Sequence, residues 1–137
     1  MGGVVHFLDP FQYRSTFHRH NPGITAEVFS QDYLNHLEAI IKYEGPHTIA
    51  GILMETVTGT NGIIIPPEGY LQGVRELCDK YRIVMIADEV MAGFGRTGEW
   101  FAVNHWGVTP DIMTMAKGLT SGYAPLGVVA MKPEIAA

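Results

Sequence analysis

Four short runs of apolar residues, separated by longer segments, constrain the fold more than any other feature of this sequence. They cover residues 48–54, 83–87, 112–115 and 126–131. Continuous apolar runs of this length are typical of strands buried on both faces, and parallel strands need long crossover connections. The pattern predicts an α/β fold with a mostly parallel sheet flanked by helices. Because no long helix separates the last two runs, we expect the sheet to be parallel or mixed.

Two of the longer segments show the periodicity of amphipathic helices. The first has Ser30 as a candidate N-cap and Gly45 as a candidate end, with apolar residues at helical spacing between them: Tyr33, Leu34, Leu37, Ile40 and Ile41. The second follows two prolines and carries one apolar face, formed by Tyr70, Leu71, Val74, Leu77, Cys78 and Tyr81. A shorter helix is predicted at residues 99–105. Residues 2–25 contain prolines and polar residues without sustained periodicity, so we expect irregular backbone there, with one short strand at residues 4–8.

Composition and charge exclude several classes of protein. The chain has 137 residues, a formal net charge of −5 and only nine lysines and arginines, so it offers no basic stripe for nucleic acid. No apolar stretch approaches the roughly 18 residues of a membrane span. The single cysteine, Cys78, excludes an internal disulfide, and His18 and His20 lack acidic or cysteine partners for a metal. We therefore expect a cytoplasmic protein without a metal, a membrane or a nucleic-acid partner.

Charged residues follow three of the predicted strands, at the point where each strand ends. Glu55 follows the first strand, Asp88 and Glu89 follow the second, and Lys117 lies just after the third. Ligands of open α/β sheets bind beyond the carboxyl ends of the strands. A carboxylate at a strand end can equally cap a turn, and a lone lysine is usually a solvated surface charge. Position alone leaves both interpretations open.

Another interpretation treats Asp88 and Glu89 as the magnesium-binding segment of a P-loop ATPase. Such an enzyme needs an earlier Gly-x-x-x-x-Gly-Lys-Ser/Thr loop, because its lysine and backbone amides hold the phosphates. No residues before Asp88 supply that loop. The sequence therefore does not favour this class of enzyme.

Several short motifs in a fixed order give a more specific indication. They are Asp88-Glu89-Val90, the glycine-rich run 93–98, Pro110-Asp111-Ile112, Ala116-Lys117-Gly118-Leu119, Ser121-Gly122-Tyr123 and Pro125-Leu126-Gly127. Together they resemble the signature of the class III (omega-type) aminotransferases of PLP fold type I. The earlier segments 55–59 and 66–70 resemble that family too, so the likeness covers nearly the whole chain. The 29 positions from Asp88 to Lys117 match the separation found in the family.

The resemblance implies a role for four residues toward pyridoxal 5'-phosphate (PLP). Lys117 would be the Schiff-base lysine and afterwards a general base at the substrate carbon. Asp88 would pair with the protonated pyridine nitrogen, Val90 would pack on one face of the ring, and Glu55 would orient neighbouring groups. A carboxylate beside the nitrogen favours the protonated ring, which accepts the electron pair when the substrate's carbon–hydrogen bond breaks. The same resemblance assigns Arg96 to loop structure.

The resemblance also implies the kind of substrate. Thr60 stands where relatives that use an omega-amino donor and 2-oxoglutarate carry an acidic residue. The block 56–62 is more similar to pyruvate-using transaminases of omega-amino acids and amines. We therefore expect an amine donor, such as β-alanine, taurine, a diamine or an aryl amine, and a 2-oxo acid acceptor, pyruvate.

Members of this family are considerably longer than the present sequence. We therefore expect residues 1–137 to form part of the PLP-binding large domain, without the N-terminal segment and the C-terminal small domain, in a protein that is a homodimer at full length. The expected phosphate-binding loop, the aromatic residue over the second ring face and the partner-subunit contact have no counterpart here. Two alternatives stay open: a non-catalytic remnant, and another PLP reaction, such as that of an aminomutase or racemase.

Overall fold

A computed structural model describes residues 2–136, and its centre is a four-stranded sheet within that range. The strands are β1 (Gly51–Glu55), β2 (Val84–Asp88), β3 (Ile112–Met115) and β4 (Val128–Met131), in that spatial order. Neighbours among β1, β2 and β3 run parallel, whereas β4 runs antiparallel to β3. The prediction of a mixed, mostly parallel α/β sheet is confirmed.

The helices described in residues 2–136 are α1 (Thr16–His20), α2 (Ala26–Glu44), α3 (Tyr70–Tyr81) and α4 (Pro133–Ala136). Short 3-10 turns cover Gln12–Arg14, Pro46–Thr48, Ala102–Trp106 and Lys117–Leu119. The predicted helix at residues 70–81 is therefore confirmed. No helix described in residues 2–136 has the length and apolar character needed to span a membrane.

The start predicted for α2 was wrong. The helix begins four residues before Ser30, because the hydroxyl of Thr25 accepts a hydrogen bond from the Val28 amide and caps it. Ser30 lies inside the helix and is buried, and its hydroxyl donates to the carbonyl oxygen of Glu68 at 2.8 Å. A serine that looked like a cap thus joins α2 to the entry of α3.

The core lies between one face of the sheet and helices α2 and α3. Apolar side chains from both helices pack against Ile52 of β1 and against Met85 and Ala87 of β2. The helical residues are Phe29, Tyr33, Leu37, Ile41, Tyr70, Leu71, Val74 and Cys78. Each large side chain buried in this way stabilises the fold by about 1.5–3 kcal/mol. This packing fixes where the strands end, and hence where the strand-end residues lie.

The opposite face of the sheet is open in the described residues, which corrects the prediction that the strands are buried on both faces. Leu53 of β1 is 61% exposed and Val129 of β4 is 56% exposed. Side chains alternate along a strand, so α2 and α3, which pack with Ile52 and Met85, cannot cover Leu53.

Three local predictions were also wrong. Residues 4–8 form no strand; residues 4–7 line a cleft of about 860 Å³ beside β1, and Val4 and Val5 are each 52% exposed. The first long strand begins at Gly51 rather than at residue 48, because the Thr48 hydroxyl bonds back to the carbonyls of Glu44 and Gly45. The helix predicted at residues 99–105 is the 3-10 turn Ala102–Trp106.

The segment 2–25 is more ordered than the sequence predicted. It contains α1 and the 3-10 turn Gln12–Arg14. The hydroxyl of Ser15, which is buried, accepts a hydrogen bond from the Phe17 amide and caps α1. The ring of Phe17 also packs edge to face on Tyr33 of α2, with centroids 5.3 Å apart, so a cap and a tertiary contact order this segment together.

Candidate active site

Three of the strand-end residues singled out from the sequence share one edge of the sheet. Glu55 and Asp88 are Cα partners at the ends of β1 and β2, and Asp88 is in turn the partner of Thr114 in β3. Lys117 follows Thr114 by three residues, in the turn that ends β3. The parallel register therefore carries two carboxylates and an amine to the carboxyl edge of neighbouring strands.

Asp88 is half-buried, and its carboxylate is only partly engaged. Its Oδ1 accepts a hydrogen bond from the backbone amide of Val90 at 2.9 Å, which folds the chain sharply after β2. A bond from an aspartate to the amide two residues on is a common way to stabilise such a turn. The turn fixes Asp88 and Val90 relative to each other and leaves Oδ2 available to a ligand.

Lys117 is exposed and lies in an unusual backbone conformation. Its φ is +34°, in the left-handed region that non-glycine residues rarely adopt, and the Leu119 amide donates to the carbonyl of Ala116 at 2.8 Å to close the turn. None of the salt bridges within residues 2–136 involves Lys117. Strained residues of this kind cluster at functional sites.

Glu55 holds the loop that follows β1. Its Oε2 accepts a hydrogen bond from the Gly59 amide at 2.8 Å, and an antiparallel bridge between Thr58 and Ile64 closes the loop. A Cβ at Gly59 would collide with the sulfur of Met91, which follows Val90. The loop after β1 therefore packs directly against the turn after β2, at Gly59 and Met91. Glu55 also borders the cleft beside β1, whereas Asp88 and Lys117 do not.

Sequence reasoning missed the structural role of Glu89. Its side chain is fully buried, with Oε2 accepting from the Ala102 amide at 3.0 Å and Oε1 accepting from the Val103 amide at 2.9 Å. A buried carboxylate is stable when both oxygens are hydrogen-bonded. In the sequence, only its position next to Asp88 drew attention to Glu89. That position could not indicate that the Glu89 side chain binds the Ala102 and Val103 amides instead of lying at the carboxyl edge of the sheet.

The donor set fits PLP. Asp88 offers a carboxylate oxygen to a cationic ring nitrogen, Lys117 offers an amine to an aldehyde, and Val90 offers an apolar surface to an aromatic ring. No group of three or more His, Cys, Asp or Glu that could hold a metal ion occurs within residues 2–136. The arrangement suits an organic carbonyl cofactor.

Comparison with family models and with characterised proteins gives a consistent result. The model for aminotransferase class III matches residues 4–137. The taurine–pyruvate aminotransferase of Bilophila wadsworthia is 44% identical over 124 residues, which are 90% of this chain and 26% of that enzyme. The chain thus spans about a quarter of the length of this relative.

Solved structures with the same fold extend the comparison. The (S)-enantioselective omega-transaminase of Thermomicrobium roseum is 44% identical, with a TM-score of 0.90 over 96% of this chain and 28% of its own. The taurine:2-oxoglutarate aminotransferase of Bifidobacterium kashiwanohense, solved with PLP and glutamate, is 49% identical, with a TM-score of 0.90 over 99% of this chain and 30% of its own. Both solved structures are transaminases, so the same fold occurs in at least two members of the omega-transaminase group.

Proposed function

The chain belongs to the class III aminotransferase family, and we propose that the protein it is part of is a PLP-dependent transaminase. It would transfer the amino group of an omega-amino acid or amine to a 2-oxo acid, with pyruvate as the acceptor. The observation that carries this proposal is the register that brings Glu55, Asp88 and the turn with Lys117 to one edge of the sheet. PLP, when bound, supplies a ring that accepts the electron pair left when a carbon–hydrogen bond breaks.

Asp88 would keep the cofactor's ring nitrogen protonated. The Val90 amide occupies Oδ1 and fixes the carboxylate plane, so Oδ2 is the oxygen left to face the ring. A carboxylate within hydrogen-bond distance stabilises a protonated nitrogen through both its charge and its lone pair. In the same proposal, Val90 would contact the ring face.

Lys117 would hold the cofactor through Nζ, at its aldehyde carbon, and the same amine, when free, would take up the proton from the substrate carbon. Within residues 2–136 the exposed Lys117 side chain makes no salt bridge, which supports this role because an amine held in an ion pair would be a poor nucleophile. Glu55, fixed by the Gly59 amide, would orient the groups around the cofactor.

Residues 1–137 would form part of the PLP-binding large domain. The cofactor phosphate and the second ring face would be held by segments outside these residues, and a homodimer would complete the site. The relatives named above are covered over 26% to 30% of their lengths, which is consistent with such a part.

Pyruvate is proposed as the acceptor because Thr60 is neutral at the place where users of 2-oxoglutarate were expected to carry an acid. The relatives named above include both a pyruvate and a 2-oxoglutarate enzyme, each with taurine as the donor. Taurine is accordingly the first donor to test.

The test is an amine-transfer assay of the full-length protein with PLP, taurine or an omega-amino acid as donor, and pyruvate or 2-oxoglutarate as acceptor. We expect alanine from pyruvate, and a loss of about 10²–10⁴-fold in Lys117→Ala. Lys42→Ala, which removes an exposed lysine on α2, is the matched control and should retain activity. Formation of glutamate but no alanine would overturn the proposal that pyruvate is the acceptor. Formation of no alanine and no glutamate would overturn the proposal that the protein is a transaminase.

A further inference from the structure

The glycine-rich loop at residues 93–101 is anchored at both ends by Glu89. The two side-chain oxygens of Glu89 bind the Ala102 and Val103 amides, and its carbonyl oxygen accepts from the Gly93 amide at 2.9 Å. A Cβ at Gly93 would lie 2.8 Å from that carbonyl, so the chain passes too closely for any side chain. The residue next to Asp88 therefore fixes where the loop begins and ends.

Inside the loop, Phe94 is held in place from several directions. Its amide donates to the Trp100 carbonyl at 2.6 Å, and the Gly95 amide donates to the Glu99 carbonyl at 3.1 Å. Its ring meets Phe101 edge to face, with centroids 5.4 Å apart. Phe94 nevertheless has a φ of +58°, which is strained for a residue with a side chain. The surrounding contacts must stabilise that conformation.

The Phe94 side chain is seated against the backbone of Gly118, the residue after Lys117. A Cβ at Gly118 would lie 2.7 Å from Phe94 Cβ, 3.3 Å from Cγ and 3.4 Å from Cδ2. Two strained non-glycine residues, Phe94 and Lys117, are therefore joined through one close contact. This juxtaposition mechanically links the turn after Asp88 to the turn that carries Lys117.

We propose that Phe94 is a positioning residue for Lys117. Glu89 anchors the loop, the loop presses Phe94 against Gly118, and that contact holds the Lys117 backbone in its left-handed conformation at a fixed distance from Asp88. The amine and the carboxylate are thereby set for one cofactor. This inference rests on the proposed function of Lys117 and adds the device that orients it.

The decisive experiment uses the full-length protein with PLP and the substitution Gly118→Ala. The φ of Gly118 is not in the left-handed region, so the added methyl group brings no backbone strain, and the three atoms nearest to its position all belong to Phe94. A displacement of the lysine by about 1 Å predicts a loss in kcat of about 10²-fold. It also predicts an altered pH midpoint for the visible absorbance of lysine-bound PLP. Gly127→Ala is the control, since its Cβ would meet only Met115 O at an ordinary 3.6 Å.

Truncation of Phe94 tests its role directly. Phe94→Gly suits the positive φ and removes the side chain that meets Gly118, so it should lower kcat by at least about tenfold and shift the absorbance midpoint, as Gly118→Ala does. Phe94→Leu keeps Cβ and Cγ, the two atoms nearest the Gly118 position, and should lose less than Phe94→Gly in both measures.

Each outcome bears on the proposal. Gly118→Ala with unchanged kcat and midpoint, or Phe94→Gly that folds with wild-type kcat and midpoint, overturns the positioning role. If Phe94→Gly does not fold, the kcat and midpoint of Gly118→Ala decide alone. Wild-type protein that neither binds PLP nor transfers amines overturns the proposed function and this inference with it. Active wild-type protein with inactive Lys117→Ala and unaffected Gly118→Ala overturns only the inference.

Discussion

Asp111 at the amino edge of the sheet and Asp88 at its carboxyl edge differ in how fully their carboxylates are hydrogen-bonded. At the amino edge, both oxygens of Asp111 are occupied: Oδ2 by Arg75 and the Met85 amide, each at 2.8 Å, and Oδ1 by Lys132 at 2.6 Å. At the carboxyl edge, Asp88 is bound through one oxygen and Lys117 is exposed. A charged group whose polar atoms are all hydrogen-bonded stabilises the fold, whereas a charged group with an available polar atom can bind a ligand. The comparison indicates that stability and chemistry are separated along the same strands.

The same aspartate-to-asparagine change at each edge should therefore give opposite results. In the full-length protein we expect Asp88→Asn to lower kcat by about 10²–10³-fold, because a fixed charge beside the cofactor is lost. Asparagine can still accept the Val90 amide through its Oδ1, so the midpoint of thermal unfolding should hardly change. Steady-state kinetics and calorimetry measure both. Unchanged kcat would contradict the assignment of Asp88.

Asp111→Asn should have the second largest effect, and on stability. The substitution leaves Arg75 and Lys132 without their shared counter-charge at a side chain that is only 13% exposed, which predicts a loss of about 3 kcal/mol in the free energy of unfolding. Asp79, the other partner of Arg75, is 67% exposed, so Asp79→Asn should lower the free energy of unfolding by less than about 1 kcal/mol. Urea denaturation compares the two. Equal losses of stability in the two variants would contradict the structural role of Asp111. A fall in activity per folded molecule in Asp111→Asn would contradict the separation of stability from chemistry.

Acid should reveal a smaller effect at the same edge. Burial alone would raise the pKa of Asp111, but the hydrogen bonds from Lys132, the Met85 amide and Arg75 outweigh it and lower the pKa from 3.8 to about 2. The stabilisation is therefore complete above pH 3.8 and is lost as the pH falls toward 2, by about 2 kcal/mol in total.

The control for this titration is the Asp111→Asn variant. Glu38, whose pKa is also lowered to about 2, contributes equally to the acid sensitivity of both proteins, so their difference isolates Asp111. Unfolding measured between pH 3.8 and 2 should show a shallower loss of stability in the variant. Parallel losses in the two proteins would mean that the paired carboxylate contributes no stability of its own.

The sequence predicted those parts of the fold that depend on local pattern. The predictions for α3, β2 and β3 agree with the structure to within one residue, because continuous apolar stripes and runs determine them. The start of α2 was missed because two hydroxyl residues, Thr25 and Ser30, could each cap it. In the folded chain Thr25 caps the helix, and the Ser30 hydroxyl donates instead to the carbonyl oxygen of Glu68, which is distant in sequence.

The candidate site divides in the same way. Placement of Glu55, Asp88 and Lys117 at strand ends follows from where the apolar runs stop, and the family motifs suggest their roles. The contacts of Glu89 with Ala102 and Val103, and of Phe94 with Gly118, join residues far apart in the chain. No local pattern encodes such contacts, so only the folded backbone reveals them.

The central claim is that Lys117, at the carboxyl edge of the sheet, is the residue that binds PLP. The most direct test is to reduce the PLP-loaded full-length protein with borohydride, digest it and locate the pyridoxyl group by mass spectrometry. We predict the added mass on the peptide that contains Lys117 and its loss in Lys117→Ala. A pyridoxyl group on another lysine, with Lys117 unmodified, would contradict the account.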